Sequence, residues 1–91
     1  MAVYVDNAMI PFHGLHMNHM LADSVDELLE MATKLGIDHK WLQKPGTHQV
    51  HFDISAERRA LALAMGAISI TYKQAGRITY ARKMAMKRAA E

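Results

Sequence analysis

Residues 48–59, HQVHFDISAERR, decide the fold. His51 and Asp53 alternate with Phe52 and Ile54, the two-residue period of a strand with one buried face, and Ser55 follows as a good helix N-cap. Arg58 and Arg59 then fall in or just after the first helical turn. A helix start already carries partial positive charge, so cations there are mildly unfavourable unless something negative lies close. Backbone N–H groups, guanidinium groups and His51 together suggest an anion pocket at this junction. Adjacent arginines point about 100° apart on a helix, so one of the pair lines such a pocket squarely, and one is enough.

Working outward, residues 2–6, AVYVD, read as a short strand covered on both faces, with Asp6 at its end. Pro11 and Gly14 mark residues 7–14 as a connection. Residues 15–22 read as a second strand, with Met17, His19 and Leu21 on one face and His16, Asn18 and Met20 on the other. Ser24 and Glu27 form a capping-box pattern, and Val25, Leu28, Leu29, Ala32 and Leu35 follow at helical spacing until Gly36 stops the helix. Residues 37–47 are less regular, with Trp41 expected to pack over the core edge and a turn at residues 44–46. After the strand at 49–54 come a helix over 55–65 stopped by Gly66, a strand over 67–71, and a helix from Tyr72 onward. The order is ββαβαβα. It predicts a compact α/β domain over residues 1–91, about four strands with helices packed on the sheet, and a basic C-terminal helix over 72–91.

At 91 residues the chain makes one domain, one that buries only about 60 % of the surface its unfolded form exposes. A hydrophobic content of 51 % with 22 % charged residues belongs to a folded chain. With no cysteine, disulfides, thiolate zinc sites and cysteine nucleophiles are excluded. The N-terminal residues lack a signal-peptide pattern and no apolar run reaches membrane-spanning length, so a cytoplasmic location without membrane contact is expected. The net charge of +2 is uneven: residues 1–72 carry five basic against eight acidic side chains, whereas six basic residues after position 72 face Glu91 alone. That final helix could touch nucleic acid, although a solvated face explains it as well.

Six histidines invite a metal reading. His13, His16 and His19 recur every third residue, as do His48 and His51, but on a strand that interval puts side chains on opposite faces. A set made of Asp6, His19, His51 and Asp53 converges better, because each lies on or at the end of an expected strand. The plainer reading is a pair of partly buried imidazoles bonded to backbone or to Asp53, and surface ion pairing for the two arginines. No phosphate-binding glycine loop, nucleophile elbow or zinc-protease helix motif occurs. Of the eight methionines, Met17, Met20, Met31 and Met65 fit core filling, and Met84 and Met86 fit a helix or subunit interface.

The opening MAVYVDNA, Met17-x-His19-x-x-Ala22-Asp23, Glu27-Leu28, Leu35-Gly36, Trp41, Gln43, His51-Phe52-Asp53, Arg59 and Met65-Gly66-Ala67 together resemble the small bacterial and phage proteins grouped as domain of unknown function 4031. The resemblance covers residues 1–71. That family usually carries His-Tyr-Asp where this chain has Phe52 in the middle. The resemblance implies a bacterial or phage source, no established activity, and a polar and aromatic set at His19, Asp23, Trp41, Gln43, His51, Asp53 and Arg59.

Three functions are therefore expected in order. The first is a binding module for a small phosphate-bearing ligand, a nucleotide or nucleotide-derived signal, needing no cofactor. Its ligand-binding residues are His19, Trp41, Gln43, His51, Asp53, Ser55, Arg58 and Arg59, with Trp41 stacking on a base. A phage protein of this kind would act in the host cytoplasm, sequestering a host immune signal. The second is a metal-dependent phosphoester hydrolase whose divalent ion is held by Asp6, His19, His51 and Asp53. The third is nucleic-acid binding through the basic helix. A homodimer or higher homo-oligomer is expected from the short chain and its Met- and Ala-rich final helix.

Overall fold

The computed structural model describes residues 2–91. It is a mixed α/β domain of five strands and three α-helices: β1 (Val3–Val5), β2 (Ile10–Phe12), β3 (Leu15–Ala22), α1 (Val25–Lys34), β4 (Phe52–Ser55), α2 (Ala56–Ala64), β5 (Ile68–Ser69) and α3 (Tyr72–Ala90). A short 3-10 helix, His39–Trp41, lies between α1 and β4.

Strand β3 is the axis. Met17 pairs with Ile10 on one side and Ser55 on the other, and Met20 pairs with Val5 and with Phe52. Strands β1 and β2 therefore lie end to end along one edge of β3, β4 lies along the opposite edge, and β5 runs parallel beside β1. Laterally this is a four-strand width, as the sequence suggests, with one edge strand interrupted. The interruption is a bulge after Asp6: partners in β1 and β3 have residue numbers totalling 25 and those in β2 and β3 total 27. Two extra residues are accommodated there, one more than in an ordinary bulge. Asn18, almost fully buried, accepts the Met9 N–H at 3.1 Å and so pins the bulge.

Residues 7–14 are thus not a simple connection, since β2 lies within them. His13 and Gly14 both have positive φ, 48° and 79°. Together they form the two-residue primed turn that matches strand twist. Histidine is among the side chains that tolerate this region best, and glycine meets no penalty there.

Alternation along the strands divides the sheet into two faces. Val5, Met20, Phe52 and Ile54 point to one, where Leu28, Met31, Ala32 and Leu35 of α1 and its end and Ala62 of α2 complete the core. Tyr4, Asp6, His19, Leu21, His51 and Asp53 belong to the other, which α3 partly covers through Ala75 and Tyr72. Ser24 caps α1, Ser55 caps α2, and Thr71 with Gln74 makes a reciprocal capping box on α3. Gly36 and Gly66 end the first two helices as expected.

Several local expectations are corrected. The strand expected from residue 49 starts at Phe52, because the chain before it makes only a bridge between His51 and Gln43. Strand β5 keeps two of the five residues expected of it. Trp41 does not seal the core edge: it is 59 % exposed, with the Lys40 ammonium 5.2 Å from its ring centre. Met65 and Val25 are also largely exposed, whereas Met20 and Met31 fill the core as expected.

Candidate functional site

The site grows from the pairing of β3 with β4, which sets Asp53 directly opposite His19. On one face of an antiparallel pair, opposed residues have Cβ atoms about 5 Å apart, so their side chains meet. His51 stands two residues before Asp53 on the same face. The two imidazole rings meet edge to face, 5.1 Å between centres at 74°.

Each ring is fixed through Nδ1. His19 Nδ1 lies 2.7 Å from Asp6 Oδ2, and Asp6 is fully buried where β1 ends. The other Asp6 oxygen accepts the backbone N–H groups of His19 at 2.8 Å and Ala8 at 3.1 Å. His51 Nδ1 donates to the Gln49 carbonyl at 2.5 Å. Both partners are acceptors, so each neutral ring carries its proton on Nδ1 and presents a lone pair at Nε2.

Those two Nε2 atoms face the same carboxylate oxygen. His51 Nε2 is 3.3 Å and His19 Nε2 3.9 Å from Asp53 Oδ1. One ligand atom from each of the three residues lies within 4.8 Å of the others. Three acceptors so close favour a shared cation between them, such as a metal ion. Electrostatics run the same way. The Asp6 hydrogen bond raises the His19 pKa against the opposing effect of burial. Burial alone would push the Asp6 carboxyl up, but the His19 side-chain and backbone hydrogen bonds prevail and hold it below its ordinary value. The His51 hydrogen bond likewise holds Asp53 low.

The supporting residues come from elements distant in sequence. Arg59 on α2 donates from Nε to the Asp6 carbonyl at 2.6 Å and from an Nη to Ser69 Oγ at 2.8 Å, tying α2, β1 and β5 together behind the site. Asn7 in the bulge accepts the Tyr72 N–H at 2.8 Å, so it sets where α3 begins. The Tyr72 ring then stacks on His19, 5.6 Å between centres and 18° between planes.

His19, His51, Asp53 and Asp6 are therefore brought together. The remaining expected residues are not part of that cluster. Arg58 is turned away, its Nε donating at 3.3 Å to the carbonyl of Leu35, where α1 ends and such a cation is welcome. Ser55 spends its hydroxyl on the Arg58 N–H as a cap. Gln43 pairs with His51 only through its backbone, and its amide donates to the Trp41 carbonyl. Asp53, Ser55 and Arg58 do share the wall of an open groove of about 660 Å³ that also takes in His16. Neither arginine pairs with Glu57 or Asp53 among the described residues. Tyr72 and Ser69 carry no mark in the sequence that would single them out.

Phe52 is fully buried on the core face, away from His51 and Asp53 on either side of it. A tyrosine hydroxyl at that position would therefore not reach the cluster. Among the described residues no helix is long and apolar enough to cross a membrane. No curated protein and no solved structure matches the chain. The model of one family, "Protein of unknown function (DUF4031)", matches residues 3–82, from β1 into the second half of α3, and the chain belongs to that family.

Proposed function

We propose that the protein holds a divalent transition-metal ion between His19, His51 and Asp53 and uses it to hydrolyse a phosphoester. The observation that carries this reading is the convergence of two Nε2 lone pairs on the Asp53 carboxylate, with both Nδ1 atoms committed elsewhere. Two imidazoles and a carboxylate are the donor set of hydrolytic zinc and manganese sites with an open coordination position. Asp6 fits the accompanying role of the carboxylate that orients a ligating histidine and raises its basicity. A bound ion there supplies Lewis acidity for a phosphoryl oxygen and a nucleophile at neutral pH. The protein's own residues orient the ligands, and the groove beside Asp53 leaves room for the rest of a substrate.

The test is turnover of bis-p-nitrophenyl phosphate by chelator-treated protein resupplied with zinc or manganese. Metal-dependent hydrolysis that His51→Ala and Asp53→Ala abolish supports the reading. Tight metal binding without turnover of this or a nucleotide substrate removes the hydrolase half of it.

A second reading, metal-free capture of a small phosphate-bearing ligand, is favoured by the same groove, where Arg58 and the start of α2 stand beside Asp53. It suits a phage protein that sequesters a host nucleotide signal in the host cytoplasm. Exposed Ile10, Phe12 and Leu15, all on one face of the β2–β3 hairpin, offer such a module a self-association surface. Nucleotide stabilisation in a thermal-shift assay with chelator present distinguishes capture from hydrolysis. The exposed basic residues of α3 support the third reading, and steeply salt-dependent DNA binding would identify it.

A further inference from the structure

The groove that begins at Asp53 continues away from the histidine cluster, and its course follows from where β4 ends. Ser55 is the last residue of β4 and pairs with Met17, and the chain then turns into α2. Among the described residues no strand flanks Leu15 and His16 on that edge of β3. What remains is the open groove of about 660 Å³, whose apolar lining includes Leu15 and Met17 of β3, Leu35 at the end of α1 and Leu61 of α2. Leu15 and Leu61 are 52 % and 46 % exposed. Exposed apolar side chains gathered in one groove and rimmed by polar groups mark a binding surface.

This lining starts next to the proposed metal ligands. Met17 and Leu15 share the sheet face of His19, and the rise of a strand sets them about 7 and 14 Å from it. Asp53 belongs both to the ligand set and to the groove wall, so a molecule held at the ion has the apolar surface within reach. The charges favour an uncharged occupant. Glu57 and Arg58 both line the groove and oppose each other, Asp53 adds a second negative charge, and His16 adds an imidazole. Arg58 also spends its Nε on the Leu35 carbonyl at 3.3 Å. A further phosphate in the groove would face a carboxylate for the one guanidinium it met.

We propose, resting on the hydrolase reading above, that the substrate is a phosphodiester with one hydrocarbon ester arm, its phosphate held at His19, His51 and Asp53 and its arm lying along Met17, Leu15 and Leu61. Water adds to phosphorus, the P–O bond to the other ester group breaks, and that group leaves with the proton as its alcohol. The arm stays on the phosphate and in the groove throughout. Its burial therefore stabilises bound substrate and transition state alike, which lowers KM and leaves kcat unchanged.

The experiment compares methyl, butyl and hexyl p-nitrophenyl phosphate as substrates of the zinc-loaded protein. Each methylene withdrawn from water favours binding by about fourfold, so KM should fall by about tenfold or more from methyl to hexyl while kcat holds steady. Leu15→Ser and Leu61→Ser, both at exposed positions, should together erase most of that dependence and leave kcat/KM for the methyl ester within about twofold. Binding is read without turnover by NMR titration of methyl signals with hexylphosphonate and methylphosphonate, and only the hexyl compound should shift Leu15 and Leu61 saturably. Turnover with the same KM for all three esters overturns the groove proposal and leaves the hydrolase reading intact. Hexylphosphonate binding at Leu15 and Leu61 without turnover of any ester removes the hydrolase reading and supports the groove as the seat of the hydrocarbon arm. An undiminished chain-length dependence in the folded double variant overturns the proposal, as do Leu15 and Leu61 shifts that follow protein concentration instead of ligand, which would assign the groove to a second copy of the chain.

Discussion

Replacing Asp6 by asparagine tests the metal centre through a residue that does not touch the ion. Asp6 Oδ1 accepts two backbone N–H groups, from His19 and Ala8, so the asparagine amide must place its oxygen there and its NH2 toward His19 Nδ1. A donor now faces the ring where the carboxylate accepted a proton at 2.7 Å. The imidazole answers by moving its own proton to Nε2, the atom aimed at Asp53. Metal binding must then reverse that tautomer and abandon the new hydrogen bond. Loss of an orienting carboxylate lowers metal affinity by about 10- to 100-fold, equivalent to about 1.4 to 2.8 kcal/mol, and the tautomer change places Asp6→Asn toward the upper end. Fold stability should fall less, since both backbone N–H groups keep their acceptor, with a cost of about 1 to 2 kcal/mol for the lost charge-assisted bond. Isothermal titration with zinc measures the affinity, urea denaturation the stability, and long-range 15N NMR the His19 tautomer. Unchanged zinc affinity, or a ring that keeps its proton on Nδ1, would refute the reasoning.

Arg59→Met should destabilise the fold by about 1.5 to 3 kcal/mol in urea denaturation, because the bonds to the Asp6 carbonyl and Ser69 are lost together; an unchanged midpoint would show that these bonds do not hold the fold together. Phe52→Tyr should leave zinc affinity within twofold and cost about 1 to 2 kcal/mol of stability as its hydroxyl enters the core, and a change in affinity would mean that position 52 reaches the site. For the metal-free protein, His19 has a raised pKa, so its stabilising contribution is full below its unfolded value, about 6.5, and is lost as pH rises through the folded value. Asp6 has a lowered pKa, so its contribution is full above about 3.9 and lost as pH falls through the folded value. The pair should therefore stabilise the metal-free fold most between about pH 4 and 6.5, and Asp6→Asn should flatten that part of a stability profile measured with chelator present. An identical profile for wild type and variant would contradict it.

The sequence made some of this legible for definite physical reasons. Helix starts at Ser24 and Ser55 are short-range signals, since the capping hydroxyl and its target lie three residues apart. The alternation in β3 and β4 put His19, His51 and Asp53 on the faces they occupy, because period two leaves no other choice once one face is buried. The hairpin at Phe12–Leu15 was hidden because His13-Gly14 is a less usual primed turn than Asn-Gly, and Pro11 reads as a break unless it lies on an edge strand. The carbonyl partners of the two arginines were not legible for a different reason. Their local position suggested an anion, but long side chains reach carbonyls at Leu35 and Asp6 that only the folded chain brings near. The stacking of Tyr72 on His19 depends on where the bulge at Asn7 fixes α3, a contact across 65 positions of sequence that no local pattern encodes.

Cobalt titration of the metal-free chain tests the central claim most directly, since visible absorption reports both occupancy and coordination. One equivalent should saturate a spectrum with the intensity of a four- or five-coordinate site, and His19→Ala, His51→Ala and Asp53→Ala should each abolish it while the variants remain folded by circular dichroism. A spectrum no different from aqueous cobalt, or one that survives all three substitutions, would contradict a metal centre at this place.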